Sequence, residues 1–166
     1  NADVFHLLNY WGTKNLLSAA TSAGVRRFIY CSVIGATSSP SLPYMNSRWM
    51  AEQETIRSQI PHVILRRSVG FGNGDDFLTV LGAQVKLSPL IPVAGDGSDL
   101  VQPIAVEDLA RCLVMAYESE RFSEQTIEVG GPEYFTFDQV VDLISDALGT
   151  ETIKIHVPVT LASFTA

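Results

Sequence analysis

The sequence predicts an α/β protein with a mostly parallel sheet covered by helices. Helix-like and strand-like patterns alternate along the whole chain, as in folds built from strand–helix–strand units. The stretch "RRFIYCSVIGA" contains a continuous apolar run bounded by turn signals, which is typical of a buried parallel strand. Tyr44 and Arg48 lie four residues apart at the start of the helix that follows, so both side chains share one helix face.

The first half of the chain predicts two helices and two strands. Apolar residues spaced from Val4 to Ala20 indicate an amphipathic helix that ends near Gly24, a residue type suited to the position just past a helix. We expect a strand over residues 27–32, a helix from about Tyr44 to Ser58, and a second strand over 63–67. These two strands should be parallel and should bracket the Tyr44 helix.

The second half continues the alternation. The glycine-rich turn "GFGNGDD" leads into a helix over about 76–86, and "IPVAGDGSDLVQPIAV" reads as two short extended pieces around a turn. A helix over 107–118 carries acidic residues in its first turn, where the helix dipole favours them. "QTIEVGG" and "TIKIHVP" are strand-like. Between them we expect a helix capped by Thr136 and followed by Gly149. The final "VTLASFTA" reads as the start of another helix.

Composition excludes several classes of function. The net charge is −7 and no basic run interrupts the chain, which argues against a nucleic-acid partner. No apolar run approaches the ~20 residues of a membrane span and no signal peptide opens the chain, so we expect a cytoplasmic protein. Cys31 and Cys112 lie far apart in apolar runs, as buried free thiols do. The three histidines are scattered and predict no metal site.

Five stretches together carry a family resemblance. In order, they are "NYWGTKNLLSAATSAGVRRFIYCS", "YMNSRWMAEQ", "ILRRSVGFGNGD", "IPVAGDGSDLVQPIAVEDLARCLVMA" and "TIEVGGPEYFTFDQVVDLI". They resemble segments of extended or atypical short-chain dehydrogenases/reductases, which are NAD-dependent epimerase/dehydratase-like proteins. The resemblance is greatest to the atypical branch, which includes proteins similar to the nucleotide-binding accessory subunit of respiratory complex I.

The resemblance implies part of a Rossmann-like parallel sheet with helices on both faces, plus a small C-terminal substrate-side lobe. Residues 1–110 would be the second half of the Rossmann-like domain, with about 88–106 crossing to the small lobe, and 111–166 would be mostly that lobe. The family's first half, which holds the dinucleotide on a glycine-rich turn, has no counterpart in this chain. The cluster Gly70, Gly72 and Gly74 has the spacing G-x-G-x-G and does not match that turn.

The family's catalytic pattern is only partly kept. By resemblance, Tyr44 would exchange a proton with the substrate, and Arg48 replaces the lysine that binds the nicotinamide ribose. A guanidinium keeps the charge but is not interchangeable with an ammonium. Val33 stands where the family has a Ser or Thr that polarises the substrate oxygen, with Ser32 just before it and pointing the other way. Two of three positions are therefore changed, which favours cofactor binding with weak or no redox turnover.

Further residues are predicted around this pair. Ser32, Arg67 and Ser68 are candidate cofactor contacts, and Val33, Phe71 and Gln102 are candidate substrate contacts. We expect the Tyr44 hydroxyl and the Arg48 guanidinium to face one cleft shared with the 67–75 loop. For Arg67 a solvated strand end, and for Phe71 core packing, are equally good interpretations.

Two functional alternatives follow from the resemblance. One is an NAD- or NADP-binding reductase, isomerase or cofactor sensor that acts on a small molecule, with weak or no cofactor binding by this chain alone. The other is a non-catalytic scaffold or assembly protein with the same fold. A homo-oligomer is expected, because without the family's first half one edge of the sheet and the apolar faces of the first helix would be uncovered. Val4, Leu8, Trp11 and the 27–32 strand should lie near the contact. Trp11 and Trp49 lie on the two helices that pair subunits in many family members, and burial against the sheet would explain them equally well.

Overall fold

The computed structural model describes residues 2–75 and 77–158. The chain forms two compact units, and each is described by itself. The first unit comprises the residues up to Ser68 together with Glu107–Val129, and the second comprises Val69–Val106 together with the residues from Gly130 onward. The chain thus passes between the two units at three points. The sequence suggested a boundary near residue 110, with residues 88–106 crossing to the small lobe.

The first unit opens with a long helical stretch. It begins as α1 (Ala2–Phe5), continues through a π-helical segment (His6–Trp11), and ends as α2 (Gly12–Ser22). Gly24 follows with a φ of +67°, a conformation that glycine adopts without steric cost. The predicted end near Gly24 is therefore confirmed, while the π-helical segment was not anticipated.

Three parallel strands form the sheet of the first unit. In spatial order they are β1 (Phe28–Val33), β2 (His62–Arg67) and β7 (Gln125–Val129), with strands numbered in chain order through both units. β1 and β2 are parallel and in direct register from Phe28 opposite His62 to Val33 opposite Arg67. The two predicted parallel strands are confirmed.

Helices cover both faces of this sheet. Side chains alternate between faces along a strand, and Tyr30 and Ile64 pack against Ala51 of α3 (Pro43–Arg57). On the other face, Val63 and Leu65 pack against Ala116 of α5 (Val106–Glu118). The α/β class with helices on both faces of a parallel sheet is thus the fold observed. α3 lies between β1 and β2 in the chain, as the sequence predicted.

The described residues of the second unit form three strand pairs and two helices. β3 (Gly70–Phe71) pairs with β6 (Ile104–Ala105), and β4 (Leu90–Ala94) pairs with β9 (Ile153–Val157), both in parallel. β5 (Leu100–Val101) pairs antiparallel with β8 (Phe135–Thr136). The helices are α4 (Phe77–Leu87) and α6 (Phe137–Leu148). The core of this unit is aliphatic and consists of Leu81, Val85, Ile91, Val93, Val140 and Val141.

The ends of α6 confirm the predicted caps. The Thr136 hydroxyl accepts a hydrogen bond from the Gln139 amide, and the Gln139 side chain accepts one from the Thr136 amide, forming a capping box. Gly149 ends the helix with a φ of +63°. A helix was expected over about residues 76–86, and α4 (Phe77–Leu87) lies there. Residue 76 and the stretch "VTLASFTA" lie outside the described residues. Within the described ranges, no helix is long and apolar enough to cross a membrane.

Candidate cofactor and substrate site

The candidate site lies where β1 ends and α3 begins. Pro43 is the first residue of α3, a position where its missing N–H and fixed φ favour helix initiation. The next residue, Tyr44, is half-buried, and the ring of Phe5 meets its ring edge-on with centroids 5.3 Å apart. One turn later, the Arg48 guanidinium carbon lies 5.4 Å from the centroid of the Tyr44 ring, within range of a cation–π contact. The Tyr44 and Arg48 side chains are therefore in contact.

Arg48 also reaches the outer edge of β1. The amides of Phe28 and Ile34 donate towards β2, to the carbonyls of Pro61 and Arg67. Backbone groups alternate in direction along a strand, so the Cys31 carbonyl points to the opposite edge. The Arg48 Nη1 atom donates to that carbonyl at 3.4 Å. Among the described residues no strand pairs with this edge. The Cys31 carbonyl at this edge instead accepts the hydrogen bond from Arg48.

The surroundings of Arg48 include two tyrosine hydroxyls. Burial by itself lowers the pKa of the Arg48 guanidinium, but the neighbouring Tyr30 and Tyr44 hydroxyls outweigh it and raise that pKa above its usual value. The guanidinium is therefore charged at every physiological pH. The Arg48 Nε and the Tyr30 hydroxyl are nevertheless both buried without a hydrogen-bond partner.

Ser32 and Val33 lie on opposite faces of β1. Ser32 is fully buried, and its hydroxyl donates to the Glu52 carboxylate at 2.5 Å. Val33 is also buried and stands opposite Arg67 in the register. Val33 has no hydroxyl, and its equivalence to the residue that polarises the substrate oxygen stays a prediction. A cofactor contact by Ser32 stays a prediction, and the partner it has in this structure is Glu52.

A buried ion pair beneath the site was not predicted from the sequence. Glu52 is 1% exposed, and its two carboxylate oxygens accept hydrogen bonds from Arg66 Nε at 3.0 Å and Nη2 at 2.7 Å. Together with Ser32, this bidentate pair links α3 to β1 and β2. The signal in the sequence was an arginine inside the buried strand "HVILRR", since a charged group in such a run needs a partner.

A second unpredicted contact orients the start of α3. The Asn9 amide, in the π-helical segment, donates to the Ser47 hydroxyl at 3.0 Å. That hydroxyl in turn donates to the Tyr44 carbonyl oxygen at 2.7 Å. The first turn of α3, which carries Tyr44, is therefore held from the N-terminal helical stretch as well as from the sheet.

The end of β2 brings another arginine to the site. The Arg67 Nη1 atom donates to the Ser68 carbonyl at 3.0 Å, and the Ser68 amide donates to Val129 at 2.9 Å. Burial raises the pKa of the Cys31 thiol, while the charges of Arg67 and Arg48 act in the opposite direction. Both arginines therefore lie near Cys31, and Arg48 is also in contact with Tyr44.

The predicted substrate contacts Phe71 and Gln102 belong to the second unit. Phe71 is 37% exposed in β3, and the Gln102 amide donates to the Gly131 carbonyl at 2.6 Å. Their position relative to Tyr44, and the cleft shared with the 67–75 loop, stay predictions. The second unit also has an apolar hollow of about 380 Å³ lined by Phe77, Val80, Leu81, Gln84 and Phe137.

Comparison with known proteins gives several matches. The chain is 28% identical to NADH dehydrogenase (ubiquinone) 1 alpha subcomplex subunit 9 of Arabidopsis thaliana, over 81% of this chain and 34% of the relative. It is 24% identical to photosystem II assembly factor Ycf39 of Synechocystis, over 95% of this chain and 47% of the relative. The chain thus spans less than half the length of these curated relatives.

Solved structures share the fold. The dTDP-glucose 4,6-dehydratase of Streptomyces venezuelae, with NAD bound, superimposes with a TM-score of 0.83 at 19% identity, over 94% of this chain and 55% of that chain. The model of the family described as "NAD dependent epimerase/dehydratase family" matches residues 1–130. On this match, over most of its length, the chain belongs to the NAD-dependent epimerase/dehydratase family.

Proposed function

We propose that this chain carries the nicotinamide side of an NAD(P) site of the atypical short-chain dehydrogenase/reductase type, with weak or no redox turnover. The observation that carries the proposal is the Tyr44–Arg48 pair at the carboxyl end of β1. The tyrosine ring and the guanidinium are in contact, and Arg48 is anchored on the Cys31 carbonyl. The carboxyl ends of parallel strands are where such folds bind nucleotides.

The donors at this site suit a nicotinamide ribose. Ribose hydroxyls accept hydrogen bonds, and the buried Arg48 Nε is a donor without a partner. Arg48 would hold the ribose, with Arg67 and Ser68 next to it at the end of β2, and Tyr44 would give or take a proton at a substrate oxygen. When bound, the cofactor would supply or accept a hydride. Val33 offers no hydroxyl to polarise that oxygen, which supports slow or absent turnover.

The test is a calorimetric titration with NAD and with NADP. For the chain alone we expect no measurable binding, because the family's pyrophosphate contacts come from a first sheet half without a counterpart in these residues. In a polypeptide that also carries such a half, we expect binding of one dinucleotide. There, Arg48→Gln should weaken binding about tenfold or more, the value of a lost hydrogen bond from a charged donor. The matched control is Arg26→Gln, an exposed arginine.

A non-catalytic scaffold is the second candidate. The changed residues Val33 and Arg48 favour it, as do relatives whose names describe a complex I subunit and an assembly factor. The same titration separates the two functions. If a polypeptide with both sheet halves binds neither dinucleotide, the cofactor proposal fails and the scaffold remains.

We also propose that the protein is a cytoplasmic homo-oligomer. Apolar side chains of the N-terminal helical stretch are exposed, among them Val4, Leu8 (66% exposed) and Trp11, and patches of this kind favour association. Light scattering should give a mass of at least two copies, and Leu8→Glu should lower it. A monodisperse monomer before substitution would contradict this proposal.

A further inference from the structure

Two arginines at the site lack a carboxylate partner. Of the eleven Lys and Arg residues, six form ion pairs with carboxylates within residues 2–75 and 77–158: Lys14, Arg27, Arg57, Arg66, Arg111 and Lys154. Three others are exposed to solvent: Arg26, Lys86 and Arg121. The remaining two, Arg48 and Arg67, are half-buried. A partly buried cation without a counter-charge is costly, so a counter-charge is expected from elsewhere.

The two arginines converge on one residue. Arg48 Nη1 donates to the Cys31 carbonyl at 3.4 Å. Arg67 stands opposite Val33 in the sheet, and Val33 is two residues after Cys31, so the side chains of Cys31, Val33 and Arg67 share one face. Arg48 approaches Cys31 from α3, which covers the other face, and reaches the Cys31 carbonyl at the outer edge of β1. Both guanidinium charges act on the Cys31 thiol. The carboxyl ends of β1 and β2 are therefore a local positive region in a chain whose net charge is −7.

Two buried polar atoms in the same place have no partner. The Arg48 Nε and the hydroxyl of Tyr30, which is 7% exposed, make no hydrogen bond. A buried polar group left unpaired costs about 1–3 kcal/mol, so most such groups in proteins are satisfied. The Arg48 Nε, a cationic donor, needs an acceptor, whereas the Tyr30 hydroxyl, which adjoins Arg48, can either donate or accept.

We infer that Arg48 and Arg67 bind an oxyanion, the carboxylate or phosphate of a small-molecule ligand, beside Cys31. The guanidinium fork matches both groups in geometry, which the compact ammonium of lysine does not. A guanidinium has five N–H donors, so Arg48 can serve this oxyanion and a ribose hydroxyl together. Identifying the bound oxyanion as part of the substrate rests on the proposed function. On that function, the substrate is anionic.

The experiment is an NMR titration of the arginine Nε–Hε signals of the chain with inorganic phosphate and with malonate, at constant ionic strength. We expect the Arg48 and Arg67 signals to shift and saturate, while those of the exposed Arg26 and Arg121 shift weakly and without saturation. Arg48→Gln should remove the saturable shift of Arg67, and backbone signals report whether the variant is folded. Arg48→Lys, which keeps the charge without the fork, should weaken saturation. Saturation with only one probe identifies the oxyanion.

A second readout uses the two thiols. Iodoacetate and iodoacetamide are similar alkylating reagents, of which only the first carries a carboxylate. The ratio of their rates at Cys31, divided by the same ratio at Cys112, should be about ten in the unmodified chain, the value of a charge-assisted hydrogen bond. It should fall towards one in Arg67→Gln and stay unchanged in Arg26→Gln.

The outcomes separate the two proposals, because neither readout needs a dinucleotide. If the Arg48 and Arg67 signals respond no more than that of Arg26, the oxyanion site is refuted, whether or not a longer polypeptide binds NAD(P). If they saturate while the longer polypeptide binds neither dinucleotide, the oxyanion site stands and the cofactor proposal is refuted.

Discussion

Removing the Glu52 carboxylate tests the structure of the site most directly. Glu52 is 1% exposed and accepts three hydrogen bonds, from Ser32 at 2.5 Å and from Arg66 at 3.0 and 2.7 Å. Glu52→Ala would leave the Arg66 guanidinium without this partner and would leave the Ser32 hydroxyl without its acceptor.

The expected loss follows from the burial of the pair. Breaking a buried ion pair by removing one partner costs about 3–5 kcal/mol. The Arg66 side chain is 24% exposed, and a Glu128 oxygen lies 3.9 Å away, so part of its charge remains solvated or paired. We therefore expect the lower end, about 3 kcal/mol of the free energy of unfolding. Ser32→Ala, which removes one hydrogen bond to a charged acceptor, should cost about 2 kcal/mol.

The assay is urea denaturation followed by tryptophan fluorescence and circular dichroism. Glu52→Leu combined with Arg66→Met is the matched control, because apolar replacement of a whole buried pair is often close to neutral. The double variant should recover most of the stability that Glu52→Ala loses. A loss below about 1 kcal/mol in Glu52→Ala, or a double variant as unstable as that single variant, would refute the assignment of the pair as a buried structural link.

Three further predictions follow from local geometry. Thr136→Ala removes the capping box of α6 and should lower the free energy of unfolding by about 1 kcal/mol, measured by urea denaturation. In the same assay Gly131→Ala should cost about 1–3 kcal/mol, because a Cβ there would overlap a backbone carbonyl oxygen. Gly149 has a φ of +63°, but a Cβ there would meet no other atom, so Gly149→Ala should cost only about 1 kcal/mol. Equal losses of stability for Gly131→Ala and Gly149→Ala would contradict the predicted overlap. Finally, because the pKa of the Cys31 thiol is raised, its alkylation should require a higher pH than the alkylation of a free thiol. Arg67→Gln should delay it further, since that charge favours the thiolate, and an unchanged or earlier pH profile would contradict this.

The fold was largely predictable because its elements follow from local chemistry. The apolar run before Val33 and the mixed pattern after Pro43 specify a strand and a helix without reference to the rest of the chain. The Thr136 cap and the αL residues Gly24 and Gly149 are likewise determined by a few neighbouring residues. The stretch after α4, expected as two extended pieces, forms three short strands, β4, β5 and β6.

The site was predicted only in part, because its partners come from distant positions. Tyr44 and Arg48 are one turn apart, and the helical repeat alone places them together. Glu52 lies on α3 and Arg66 on β2. Their side chains meet only because of how the helix packs on the sheet, which the local sequence does not specify. The π-helical segment was not predicted, because π turns are rare and differ from α turns in their i→i+5 hydrogen bonds, which a residue pattern does not show directly.

The order in which the chain builds its first sheet has a kinetic consequence. β2 and β7 are neighbours in the sheet, yet the contact that opens their pairing, between His62 and Glu124, joins residues 62 positions apart. Closing a loop of that length costs entropy before the strands gain contacts, and contacts between distant residues slow folding. During synthesis β7 is translated after β1, α3 and β2, so one edge of β2 stays unpaired until β7 has been made. Aggregation in cells should therefore depend on how quickly translation proceeds from β2 to β7.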